Sequence, residues 1–414
     1  MGPSESKPGT VAGAKASGTR SLRPWVWAGA AVAVVIVGAA LVAARRPAER
    51  DPEVLAARAR EAIQSRRWDQ AEALLGQLAA RRAPTAADAI LRADFEDGRG
   101  RPDAALAALA KVPDSDPLAA RARLKAAQVE RGRNRWARAE AWLREAIRLD
   151  PKLVQARREL VYLYGMQSRR DDLAEQFRAL AELAPLSFHD MFVWTSSLLD
   201  VWVNEFIRPD LRRYLEADPD DRQSRLALAR VLLRAGEAEE AEATLRPLPE
   251  SDVDALALRA QAALVRSRPE EARALLARGP VEHAGLALLR GRLATLSGDP
   301  AAAAREFATA ARLAPTNLEA AQGLVQALQR SGNATEAAVH QARARKLREL
   351  TDLVEGSRAD RGRRDPTLPR RFGAACEAIG RVAEAKGWYR LALTVDPLDT
   401  EAQRALFRLR DRPD

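Results

Sequence analysis

Few side chains in this 414-residue sequence can do covalent chemistry: three histidines, His189, His283 and His340, and one cysteine, Cys376. None of the histidines has a second His, a Cys or a paired carboxylate at ligand spacing, so no metal is expected. One Cys excludes a disulfide framework within the chain. Cys376 lies beside Ala374 and Ala375 on an apolar helical face, where a thiol stays protonated and serves as packing. His189-Asp190 with Ser196 or Ser197 supplies the residue types of a hydrolytic group, but at no established spacing. No Gly-rich phosphate loop, GxSxG elbow or HExxH is present. The chain is therefore expected not to be an enzyme, with no catalytic residue and no cofactor. Its abundant chemistry is arginine: of 67 basic residues seven are Lys, against 57 acidic ones, for a net charge of +10.

Stepping from these groups to the elements that hold them, 47% of residues are hydrophobic but only 5% aromatic, which leaves small and aliphatic side chains, above all alanine. That is a helical composition. The first 24 residues, rich in Gly, Ser and Pro, cannot bury enough surface to offset chain entropy and read as a disordered basic tail. Trp25 to Ala44 is uncharged, and twenty residues at about 1.5 Å rise cover about 30 Å, a bilayer core. With Arg23, Trp25 and Trp27 at one end and Arg45 and Arg46 at the other, the expectation is a single transmembrane helix followed by a juxtamembrane linker, 45–51. A cleaved signal peptide is the alternative, although its apolar region is typically about 7 to 15 residues. The basic tail favours a cytoplasmic N-terminus with the remainder on the extracytoplasmic side; a cytoplasmic or secreted remainder is the alternative.

A prior of about one domain per 150 residues gives two or three globular units, and an internal period replaces that estimate. Pro117, Pro151, Pro185 and Pro219 are spaced by 34 residues, and Pro315 and Pro397 close similar segments. Each period holds two apolar-periodic helical segments, a turn between them and a closing Pro, which cannot continue a helix. Counting between Val253 and Val281 places a loss of about six residues in one repeat, and the stretch Gly356 to Pro369 accounts for an excess of 14. One such hairpin cannot bury both faces; stacked neighbours do.

Segments such as QVERGRNRWARAEAWLREAIRLDP and RGRLATLSGDPAAAAREFATAARLAP resemble the tetratricopeptide repeat family of 34-residue helix-turn-helix units. The matching residues are small ones in the first helix (Ala127, Ala229, Ala260, Gly291, Gly373), small ones opening the second (Ala139, Ala241, Ala272, Ala303, Ala385) and large ones a turn later (Leu143, Phe177, Leu245, Leu276, Phe307, Tyr389). The resemblance implies an all-α, right-handed helix-turn-helix solenoid of about ten repeats following the transmembrane helix. The repeats are expected over 52–349, with a charged insertion at 350–369, a last repeat at 370–397 and a capping helix and tail at 398–414. The anchor-and-repeat layout suggests a bacterial source.

In that family the first helices line a concave face. One equivalent position per repeat gives Gln128, Tyr162, Ser196, Arg230, Gln261, Arg292 and Gln326, with Arg121, Arg131, Arg158, Gln223, Gln322 and Gln329 one turn away. None of the first seven is acidic. This implies an Arg/Gln groove suited to carboxylates or an extended backbone, or else an ordinary solvated face. The family's Lys/Asn clamp pattern is absent. Repeat 186–219 departs from the pattern, with Phe188, Phe192, Trp194, Trp202, Phe206 and Tyr214. These rings either fill the core or form an exposed hot spot. The basic tract Arg343 to Arg371 is either a solvated helix and loop or an anionic contact; its alternating charges and the lack of a reader motif exclude nucleic acid. The expected function is a membrane-anchored scaffold that binds a protein or peptide partner and recruits it to the membrane. The alternative is an envelope component self-associating through the aromatic repeat. Oligomeric state is left open.

Overall fold

The computed structural model describes residues 51–199, 205–358 and 365–412. The expected tail, the span from Trp25 to Ala44, the linker up to residue 50 and Trp202 lie outside them. Among the described residues all regular structure is helical, and no helix is long and apolar enough to cross a membrane.

The chain divides into two compact units. In the first, α1 (Pro52–Gln64) and α2 (Trp68–Ala79) form a hairpin. Asp51 caps α1 by accepting from the Glu53 N–H, satisfying an N-terminal donor that the helix cannot.

The second unit begins at Thr85. Its hairpins are α3 (Ala86–Gly98) with α4 (Pro102–Leu109), α5 (Ala119–Gly132) with α6 (Trp136–Leu149), and α7 (Val154–Met166) with α8 (Arg170–Leu183). Then come α9 (Phe188–Leu198) and α10 (Arg208–Ala217), α11 (Arg222–Arg234) and α12 (Ala238–Leu245), α13 (Val253–Val265) and α14 (Pro269–Ala277). The remaining pairs are α15 (Ala284–Leu296) and α16 (Pro300–Leu313), α17 (Leu318–Arg330) and α18 (Ala334–Gly356), and α19 (Leu368–Ala378) and α20 (Val382–Val395), followed by α21 (Thr400–Leu409).

The turns give the repeat its ruler. Nearly every hairpin reverses through one residue of positive φ: Arg66, Gly100, Asn134, Ser168, Gly236, Ser267, Gly298, Gly332 and Gly380. The spacing is 34 up to Ser168, 31 from Gly236 to Ser267 and again to Gly298, then 34, then 48. The six missing residues are thus shared by two repeats, not removed from one. α12 and α14 have 8 and 9 residues where α6, α8 and α16 have 14.

Small residues set the helix spacing. A Cβ on Gly291 or on Gly323 would lie 2.7 Å from the Phe307 ring, and one on Gly373 would lie 2.7 Å from Tyr389. The alanines opening the second helices, among them Ala139, Ala241, Ala272, Ala303 and Ala385, are fully buried, so close approach explains the alanine load. α18 runs past residue 349, where the sequence placed the end of the array, and Leu347, Leu350 and Val354 on its last turns are 0% exposed. The stretch expected as a solvated insertion therefore begins as packed helix, and α19 starts at Leu368.

Candidate functional site

First helices pack on first helices along much of the unit: α3 on α5, α11 on α13, α13 on α15 and α15 on α17. The aromatic repeat breaks this row. Ser187 and Asp190 form a capping box at the start of α9, and the helix then packs mainly on α8, α18 and α20. The Trp388 indole N–H donates to Thr195 Oγ1 at 2.7 Å, both side chains being 0% exposed. Trp388 stacks on Phe372 at 4.4 Å and meets the edge of Phe188 at 5.3 Å. Met191 occupies the space a Cβ on Gly387 would need, and Thr316 Oγ1 donates to the Leu198 carbonyl at 2.7 Å. Burial pushes the Cys376 thiol well above its ordinary range.

The aromatic residues therefore do not form one exposed patch. Phe192 and Trp194 are buried and Phe188 is half-buried, while Phe206 is 90% exposed. With α9 out of the row, α7 and α11 meet directly: the Gln167 side-chain amide donates to Ser224 Oγ at 3.2 Å.

Several of the side chains expected in the Arg/Gln groove meet carboxylates lying one repeat further on. Glu159 receives Gln128 at 3.4 Å and Arg131 at 3.2 Å, Asp190 receives Arg158 at 3.1 Å, and Glu319 pairs with Arg292. Ser196 is fully buried, and Tyr162 is half-exposed with its ring 5.6 Å from Trp136. Arg121 and Gln329 are exposed, and Gln223 is half-buried at the start of α11. The structure brings Arg230, Gln261 and Arg292 together at one cavity, and Arg292, Gln322 and Gln326 at a second hollow.

Other arginines do structural work that the sequence did not reveal. Where a second helix is short, an Arg of the next first helix reaches back to the carbonyls at its C-terminal end. Arg123 binds the Leu109 and Val112 carbonyls at 3.3 and 3.1 Å, and Arg259 binds those of Leu245 and Leu248 at 2.8 and 2.7 Å. Arg290 does the same for Leu276 and Gly279, both at 2.7 Å. These carbonyls lie at or just past the ends of α4, α12 and α14, whose C-terminal partial charges favour a cation. In the basic tract, Arg371 lies 3.1 Å from Asp365 and Arg343 donates to the Pro315 carbonyl at 3.0 Å.

The first cavity has a volume of about 520 Å³ and lies among the turn after α7, the inner sides of α11, α13 and α15, and the start of α17. Asp254 at its edge is held well below the carboxylate range, first by a hydrogen bond from His283 and then by Arg222. The adjoining hollow, about 550 Å³, has Phe307, Ala303 and Gly323 on its apolar side and Gln322 and Gln326 as amide donors and acceptors. Arg292 and Glu319 line both. Among the described residues no cluster of His, Cys, Asp and Glu has the makings of a metal site.

Successive helical hairpins stacked on one another define this class of protein, an all-helical repeat solenoid. Two stretches of the array, residues 90–153 and 208–264, each match a tetratricopeptide repeat family model. No curated protein matches the chain. Similar solved structures include a tetratricopeptide repeat protein from Parabacteroides merdae, at 15% identity and TM-score 0.31, covering 59% of this chain and 98% of that one. Another is the APC/C hetero-tetramer Cut9-Hcn1, at 15% identity and TM-score 0.32, covering 87% and 84%. A third is the P58(IPK) TPR domain, at 14% identity and TM-score 0.29, covering 78% and 97%.

Proposed function

We propose that this chain is a membrane-anchored scaffold holding a protein or peptide partner on the first-helix face between α11 and α17. The observation that carries the reading is the Phe307 hollow. Ala303, Phe307 and Gly323 give it an apolar side, and Gln322 and Gln326 at its wall suit an extended backbone, since each amide both donates and accepts. Anchoring rests on the uncharged run from Trp25 to Ala44, with the N-terminus inside and the repeats outside. Self-association through the aromatic repeat is less well supported, because Phe192 and Trp194 are covered within the chain.

The test places a photo-crosslinking side chain at Gln326 in the intact anchored protein, with a second at exposed Gln403 as comparison. A partner labelled from 326 but not from 403, and lost on Gln322→Glu, supports the reading. Equal labelling from both positions overturns it. A fluorescent protein that matures only inside the cell, fused to the C-terminus, tests orientation: a dark fusion supports the proposed topology and a bright one refutes it.

A further inference from the structure

One face of α17 carries a ladder of polar groups along the Phe307 hollow. Gln322, Gln326 and Arg330 follow one another at intervals of four, and all three line it. Four residues at about 1.5 Å rise put successive rungs about 6 Å apart. An extended chain advances about 3.1 to 3.4 Å per residue, so a segment lying along the helix meets a rung at every second residue. Neither glutamine amide is bonded within the chain among the described residues. Arg330, exposed at the last turn of α17, has neither an ion pair nor a hydrogen bond among them. Glu319, the one carboxylate among the described residues of the lining, pairs with Arg292. Arg330 is therefore a cation whose charge the hollow does not answer.

Apolar surface lies beside the first two rungs. The Phe307 ring lies against Gly323, where a Cβ would come within 2.7 Å of it, and Leu296 in the same lining is 72% exposed. Gly323 and Arg330 are seven positions apart, about two helical turns, so they share a face and stand about 10.5 Å apart along the axis. Three residues of extended chain cover about 9 to 10 Å, and in polyproline II form they return a side chain to the same side.

We propose, on the reading that a partner occupies the Phe307 hollow, that its occupant is an extended segment carrying a large apolar side chain and, about three residues away, an acidic one. The apolar group covers Leu296 and the edge of Phe307, the backbone pairs with Gln322 and Gln326, and the carboxylate meets Arg330. The acid is a side chain and not a chain end. Capture of a terminal carboxylate uses a nest of free backbone N–H groups, and those beyond Arg330 are committed: Ser331, Gly332 and Asn333 donate to the carbonyls of Ala327, Gln329 and Leu328.

The experiment selects phage-displayed random segments of about nine residues, about 30 Å when extended, on the intact chain in detergent. Each segment is fused through its C-terminus, so no free chain end is offered. Enrichment of an apolar residue with Asp or Glu at about the stated spacing is expected. The most enriched peptide, synthesised with both ends blocked, is then titrated by fluorescence polarisation. Arg330→Gln should weaken binding by about three- to fivefold, the scale of an exposed ion pair. Changing the peptide's acid to its amide should cost as much, with no further loss when both changes are combined. Raising the salt from about 0.05 to about 0.5 M should weaken binding to the wild type more than to Arg330→Gln. Arg246→Gln, an exposed residue outside the hollow, should bind as the wild type does, and circular dichroism confirms that each variant folds. Enriched peptides without an acid overturn the inference. So does equal affinity for wild type and Arg330→Gln where Gln326→Ala weakens binding, a result that keeps the hollow as the partner site. Affinity unchanged in both variants, or no enrichment, overturns the partner reading as well. Tighter binding of a peptide that offers a free terminal carboxylate in place of the acidic side chain overturns the assignment to an internal residue.

Discussion

Whether the C-terminal repeat is seated on α9 in solution can be tested through one hydrogen bond. Thr195 and Trp388 are 193 residues apart and joined at 2.7 Å in surroundings closed to solvent. Thr195→Val keeps the shape and removes the acceptor, leaving a buried indole N–H unpaired at a cost of about 1–3 kcal/mol. Trp388→Phe removes the donor while keeping an aromatic ring against Phe372. The double variant loses both partners, so the penalty for an unpaired group appears once, and the coupling should be about 1–2 kcal/mol. A long repeat array need not unfold in one step. The suitable readout is therefore hydrogen exchange of amides within 382–395, where local opening of α20 is measured directly. Thr195→Val alone should lower protection there by about tenfold, a change of about 1.4 kcal/mol. If the cycle is additive to within about 0.3–0.5 kcal/mol, as for sites out of contact, the packing of α20 on α9 is refuted.

Two further outcomes follow from the capping groups. Arg290→Met keeps most of the aliphatic stem but removes the guanidinium donor from the carbonyls of Leu276 and Gly279; about 2 kcal/mol of stability should be lost, measured by thermal unfolding, and an unchanged transition refutes the capping role. Asp190 is held below its ordinary pKa by hydrogen bonds from Ser187 and by Arg158, against the opposing effect of burial. A depressed folded pKa gives stability that is present above the unfolded value, about 3.9, and lost as pH falls through the folded one. The stability gap between the wild type and Asp190→Asn should therefore be open at pH 6 and narrow below about pH 4, and a gap that does not narrow refutes the assignment.

The repeat was legible because it depends on local pattern: a Pro after the second helix, a small residue against a large one, a turn every 34 positions. The split deletion was not, since counting prolines sees only the closing loops, whereas the turn residues at 236, 267 and 298 fix each hairpin separately. The arginines were legible as a face, whereas the groups that hold several of them were not. Their acceptors lie far along the chain: Glu159 is 31 residues from Gln128, and Glu319 is 27 from Arg292. The carbonyls held by Arg259 and Arg290 leave no side-chain signature. The signal that was available is a basic residue near the middle of a first helix following a short second helix. It recurs at Arg123, Arg259 and Arg290.

The aromatic repeat was visible as a compositional break, but its consequence depends on where its helix goes. Alanine-rich first helices fit one another closely and form a row. A helix carrying Phe188, Met191, Phe192 and Trp194 cannot approach its neighbours so nearly, and finds room where Gly387 opposes Met191 and where Phe372 and Trp388 supply flat rings. Its departure lets the turn after α7 meet α11, and that contact sets Arg170 beside Arg230 and Arg234. In a regular array an intervening first helix would hold those positions apart. The arginine cavity is thus a product of the degenerate repeat, although none of that repeat's described residues lines it.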